Sequence, residues 1–167
     1  MKKTLVIGLI SLFAFAAKAQ VGLAQTKYLY QFTLMIEWPA SKKAGNFVIG
    51  IVGKGDINSH AVSMLNGKSV GSQKVVVKEF SSVAAASGCN VLFLTSSKVS
   101  QFSEALSKSK SMNALLVTAK TGYGKKGSAI NFFMVGSKLR FELNKGSMQA
   151  CKLKASSKLE QLGKSVG

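Results

Sequence analysis

Few residues of this chain have the type and spacing to do chemistry. Gly50, Gly53 and Gly55 follow an apolar run and precede a helical pattern, where a phosphate loop would lie. Their G-x-x-G-x-G spacing reverses the dinucleotide fingerprint. A ribose ligand belongs at the end of a second strand about 20 residues on; the acid nearest that place, Glu79, sits at about 26. An ordinary strand-to-helix turn is the stronger reading, and the helix N-terminus still leaves Gly53 and Gly55 as a site for a small anion. The run from Gly122 to Ser128 carries glycines and two lysines but not the G-x-x-x-x-G-K-[ST] order. It also leads into a strand, where a nucleotide loop must lead into a helix, so it reads as a mobile basic turn. His60 is the only histidine, with Asp56 four residues before it. A hydrolytic triad needs a converging nucleophile, base and acid, and there is no G-x-S-x-G elbow. One histidine, two distant cysteines and six scattered acids are too few for a metal site or a facing carboxylate pair. No catalytic residue, metal or cofactor is expected.

Recognition is better represented than reaction. Of 23 basic residues only Arg140 is arginine, and it shares a strand face with Glu142 two residues on. The pair could bridge, or Arg140 could clamp a carboxylate bidentately. On an exposed face the pair would be worth under about 1 kcal/mol. Trp38, the sole tryptophan, stands beside the sole proline; core packing is its default and a partner-binding anchor the alternative. Tyr28 and Tyr30 share that segment, and one of them must lie off its buried stripe. Tyr28, Trp38, Arg140 and Glu142 are therefore the candidate partner contacts.

The elements that must position these residues alternate. Tyr28, Phe32, Met35 and Ile36 fall at helical spacing within 24–37, with Leu29 and Leu34 widening the stripe, and Pro39 stops this helix at Trp38. Phe47 to Val52 is a buried strand ending in Gly53; Ile57 to Leu65 is a short helix closed by the turn Asn66-Gly67. Val75 to Phe80 is a second strand, and Ser81-Ser82 could cap a short helix through Ala86. Asn90 to Leu94, a helix from Lys98 to Lys108, and Ala114 to Val117 follow. Ala129–Val135 and Leu139–Leu143 flank Gly136-Ser137 as a hairpin, and 145–163 is a broken helical segment. Continuous apolar strands alternating with helices predict an α/β three-layer sandwich with a mostly parallel central sheet and a C-terminal antiparallel hairpin.

The first 19 residues have the form of a secretory signal peptide. Lys2 and Lys3 precede an apolar run from Leu5 to Ala17, and Ala17-Lys18-Ala19 is a small-x-small cleavage pattern, so the mature chain begins at Gln20. Residues 20–167 then form a single exported domain. Removing Lys2, Lys3 and Lys18 takes the formal charge of +17 to +14. The lysines are dispersed and arginine is nearly absent, which reads as a solvated basic surface and not as a nucleic-acid reader. Cys89 and Cys151 allow either one disulfide, worth about 3–4 kcal/mol for a loop of about 60 residues, or two separate buried thiols. Spacing leaves both open.

The order of several short phrases resembles the YfiR family of exported bacterial proteins. They are Glu37-Trp38-Pro39, the strand Phe47 to Gly53, Gly88-Cys89-Asn90-Val91-Leu92-Phe93, Ile130-Asn131-Phe132, Arg140-Phe141-Glu142 and Ser156-Ser157-Lys158-Leu159. The resemblance covers about Ala24 to Leu162. It implies a periplasmic, non-enzymatic inhibitor that contacts an inner-membrane signalling protein, a diguanylate cyclase or sensor kinase, and is titrated away by an outer-membrane lipoprotein. It also implies a homodimer and disulfides, although the best-known members have four cysteines and this chain has two.

Overall fold

The structure is a computed structural model that describes residues 20–167. The expected signal peptide lies outside the described residues. Helix α1 (20–34) leads into the two-residue strand β1 (Ile36–Glu37) and a 3-10 turn at Ala40–Lys42. Then come β2 (Phe47–Val52), α2 (Ile57–Leu65), β3 (Ser69–Val70), β4 (Gln73–Phe80) and β5 (Val91–Leu94). A 3-10 turn at Ser96–Gln101 runs into α3 (Phe102–Met112), followed by β6 (Leu115–Thr118), β7 (Ile130–Val135) and β8 (Lys138–Leu143). The chain closes with α4 (Lys145–Ala150), β9 (Lys154–Ala155), α5 (Ser157–Leu162) and β10 (Lys164–Ser165).

Eight strands lie in the order β10-β8-β7-β6-β5-β2-β4-β3, while β1 and β9 pair separately and antiparallel. The run β4-β2-β5-β6-β7 is parallel, and β8 returns antiparallel to β7. Because side chains alternate along a strand, each sheet face has its own core. Ile49 and Ile51, Val91 and Phe93, Leu115 and Val117, and Phe132 and Phe141 point to one face, where α1 and α2 cover them with Leu29, Phe32, Ile57 and Leu65. Val48, Val52, Leu92, Leu94 and Leu116 point to the other, under Phe102 and Ala105 of α3. This is the expected α/β three-layer sandwich.

Three expectations need correction. α1 ends at 34, before Trp38, because Ile36 and Glu37 pair with Ala155 and Lys154 and the residue before a proline is driven to an extended conformation. The carbonyl of Thr33 left open there accepts the Trp38 indole N–H at 3.0 Å. Residues 81–86 form turns, not a helix; the Val83 N–H is taken by Gln101 Oε1 at 2.9 Å. The Gly122–Ser128 segment is pinned, not loose. Tyr123 meets Phe102 edge-on at 4.7 Å, and the Gly124 carbonyl accepts from Asn144 Nδ2 at 2.9 Å.

Candidate functional site

The β7–β8 hairpin turns through Gly136-Ser137, with Gly136 at φ +56°, as a type II′ turn requires of its first residue. The ladder holds all six residue pairs from Ile130↔Leu143 to Val135↔Lys138. The supporting strands reach only its base. β6 pairs with Ile130 and Asn131 alone, and β10 with Glu142 and Leu143 alone. From Phe132 to Phe141 the hairpin extends as a two-stranded arm. One face of it, Phe132, Met134, Leu139 and Phe141, turns toward α1. The other presents Phe133, Val135, Lys138 and Arg140 outward. Met134 is 45% exposed and Val135 57%. Lys164 Nζ lies 5.9 Å above the Phe133 ring, so this outer face combines apolar surface with three cations.

Arg140 is exposed on that face, opposite Phe133. Glu142 is half-buried at the base, where its Oε2 accepts from Asn131 Nδ2 at 2.9 Å. Lys145–Glu160 is the one ion pair among the described residues, so Arg140 and Glu142 do not bridge. Asn131 organises this corner: its Oδ1 also accepts from Thr118 Oγ1 at 2.7 Å and from the Lys120 N–H at 3.1 Å. Asn131 was legible only as part of the Ile-Asn-Phe phrase, with no role of its own. Its signal was available, since an amide inside an apolar strand must find hydrogen-bond partners.

The aromatic candidates serve the core. Tyr28 is half-buried, packed on Phe32, Phe132 and Phe141 with ring centroids 5.9–6.1 Å apart. Tyr30 is the one turned aside; its hydroxyl donates to the Ser69 carbonyl at 2.9 Å. Trp38 is 7% exposed and meets Phe47 edge-on at 4.9 Å. Burial gives it a packing role in the core.

Gly53 and Gly55 sit at a topological switch point. The chain leaves β2 for α2 on one face and β5 for α3 on the other, opening a crevice at the strands' C-terminal ends. A cleft of about 490 Å³ lies there, lined by Gly53, Lys54, Glu79, Phe80, Ser97 and Lys98. The donors an anion would use are already engaged. Gly53 N–H donates to the Phe80 carbonyl at 2.9 Å, Lys54 N–H to Ser97 Oγ at 3.2 Å and Gly55 N–H to Asn58 Oδ1 at 2.9 Å. Gly53 itself is required by its backbone. At φ +88°, a Cβ would stand 2.5 Å from Thr95 Oγ1. Gly53→Ala is expected to cost at least about 1–2 kcal/mol in urea unfolding, from the left-handed backbone alone.

The comparisons with known proteins fit this geometry. The family model described as YfiR/HmsC-like matches residues 24–164. This chain belongs to the YfiR/HmsC-like family. No curated protein matches it. YfiR-like proteins are periplasmic regulators connected with diguanylate cyclases, and among the described residues no helix is long and apolar enough to cross a membrane. The phrases that carried the YfiR resemblance are now structural. The Ile-Asn-Phe and Arg-Phe-Glu strands are partners in register, Asn131 facing Glu142 and Phe132 facing Phe141. Ser156 caps α5, its Oγ accepting from the Leu159 N–H at 3.3 Å.

The YfiR-like disulfide expectation takes its other branch here. Cys89 and Cys151 are free, and each is buried in a different core cluster. Burial pushes both thiols above the ordinary cysteine value; at Cys89 the nearby Lys42 ammonium opposes this. A folded pKa above the unfolded one means that the folded chain holds its proton longer. The contribution to stability is therefore whole below the unfolded thiol pKa and is lost as pH rises from there through the folded one. Native protein is expected to resist an aqueous disulfide reagent at neutral pH. Both thiols should react at once in denaturant, and a labelling time course checks this.

Proposed function

We propose that this chain is an exported, non-enzymatic periplasmic regulator that binds the periplasmic part of an inner-membrane signalling protein and inhibits it. A diguanylate cyclase is the favoured partner and a sensor kinase the runner-up. The family match over residues 24–164 is the observation that carries this reading. The β7–β8 arm supports it, because an outward face of Phe133, Val135, Lys138 and Arg140 is suited to an acidic partner surface. Arg140 supplies a contact; Glu142 and Tyr28 hold the arm from its base and underside. An inhibitor must favour one conformational state of its partner, since equal affinity for both would shift nothing. Release by an outer-membrane lipoprotein and homodimer formation complete the proposal by analogy with the family.

The alternative, a small-anion module at Gly53 and Gly55, has its cleft but would have to displace three internal hydrogen bonds. Deleting the gene in its own host and measuring intracellular cyclic-di-GMP tests the favoured reading. The level should rise on deletion and fall when export is restored. An unchanged level would sink the cyclase assignment.

A further inference from the structure

The outer face of the arm offers side chains, but its edge offers backbone. In a two-residue hairpin the pair flanking the turn, Val135 and Lys138, exchanges ladder bonds. The next pair, Met134 and Leu139, therefore directs its N–H and C=O groups away from the hairpin. Among the described residues nothing on the β6 side receives those of Met134, because β6 ends at Thr118 and pairs no further than Asn131. Residues Phe132–Val135 thus leave about 13 Å of open strand edge. An open edge is a template for another strand.

Beside that edge lies a cleft of about 360 Å³, formed where the chain turns away after β6. Val21 and Gln25 of α1, Ala119, Thr121, Met134 and Leu139 line it. It occupies the lane that a longer β6 would have filled. Lys120 is exposed at its rim, and Lys138 and Arg140 stand across the ladder. The nearest carboxylate, Glu142, is tied to Asn131.

We propose that an acidic, extended segment of the partner adds as a strand along the Phe132–Val135 edge, its apolar side chains in this cleft and its carboxylates toward Lys120, Lys138 and Arg140. Main-chain bonds would supply affinity and the alternating side chains specificity, as in other strand-addition complexes. A second copy is the poorer occupant, because pairing two such edges would bring like charges together. This inference deepens the regulator reading and rests on it.

The probe is a ten-residue peptide of alternating valine and glutamate, with a valine–lysine peptide as control. Each is titrated into isotope-labelled mature protein, and amide exchange is followed residue by residue. The acidic peptide is expected to slow exchange at Met134 by about tenfold or more, and the lysine peptide to leave it unchanged. Met134→Pro removes the edge donor, and the chemical-shift changes that the acidic peptide causes at neighbouring amides should be lost. Met134→Glu, a gentler change at an exposed position, puts a carboxylate into the cleft meant for the valines and should weaken both binding and protection. No protection at 132–135, equal protection by both peptides, or binding that survives both variants would overturn strand addition.

Capture of the membrane partner separates this from the broader reading. If a photo-crosslinker at Val135 captures an inner-membrane protein and both Met134 variants capture it equally well, the interface stands and strand addition falls. If no position captures a membrane protein, the regulator reading falls, and the peptide titration still decides the chemistry of the edge.

Discussion

Phe32→Ala is expected to destabilise this protein by about 3–5 kcal/mol, the cost of deleting a fully buried phenylalanine. Phe32 has no exposed surface. Its ring lies 4.7 Å from Phe141 edge-on, 5.7 Å from Phe132 and 5.9 Å from Tyr28. That aromatic group is what docks α1 against the base of the β7–β8 arm. For a domain of this size the loss corresponds to a fall in Tm on the order of 10 °C. Amide exchange in β7 and β8 should quicken beyond the global change. Phe32→Leu, which keeps most of the apolar volume, should lose less. A loss for the alanine variant below about 1 kcal/mol would mean that α1 is not held to the hairpin by this ring.

The second large effect is on association. Lys138→Glu with Arg140→Glu reverses two exposed charges on the outward face of the arm. Stability should stay within about 0.5 kcal/mol, because neither side chain is buried or ion-paired. The association rate with the partner's periplasmic domain should fall about 10–100-fold at low salt, since steering by surface charge has that reach. At 1 M salt, where the screening length is about 3 Å, the two proteins should differ little. Stopped-flow binding at two salt concentrations checks both halves. An unchanged rate at low salt would place the interface elsewhere.

What was legible in the sequence was what local pattern encodes. Phe47 to Val52 and Ile57 to Leu65 have the bounds that periodicity and flanking turn residues indicate, and Gly136-Ser137 marks the hairpin. Features created by distant partners were hidden. The early end of α1 depends on pairing between β1 and β9, more than a hundred residues apart. The anion reading of Gly53 and Gly55 weakens only once Ser97, from another loop, is seen to take the Lys54 N–H. Residue type marked Trp38 and Arg140 as unusual but could not say which is covered; burial separates them, the first in the core and the second in solvent. The open edge at Met134 could not be read at all, because it arises from β6 ending where β7 continues.

The most direct test of the regulator role places a photo-crosslinking residue at Val135 on the arm and, as a control, at Val62, an exposed position on α2. Illumination of intact cells should join the Val135 variant, and not the Val62 variant, to an inner-membrane protein bearing a cyclase or kinase domain. That adduct should weaken when Lys138 and Arg140 are reversed. Equal capture from both positions, or capture of nothing but periplasmic proteins, would contradict a regulator that works through the β7–β8 arm.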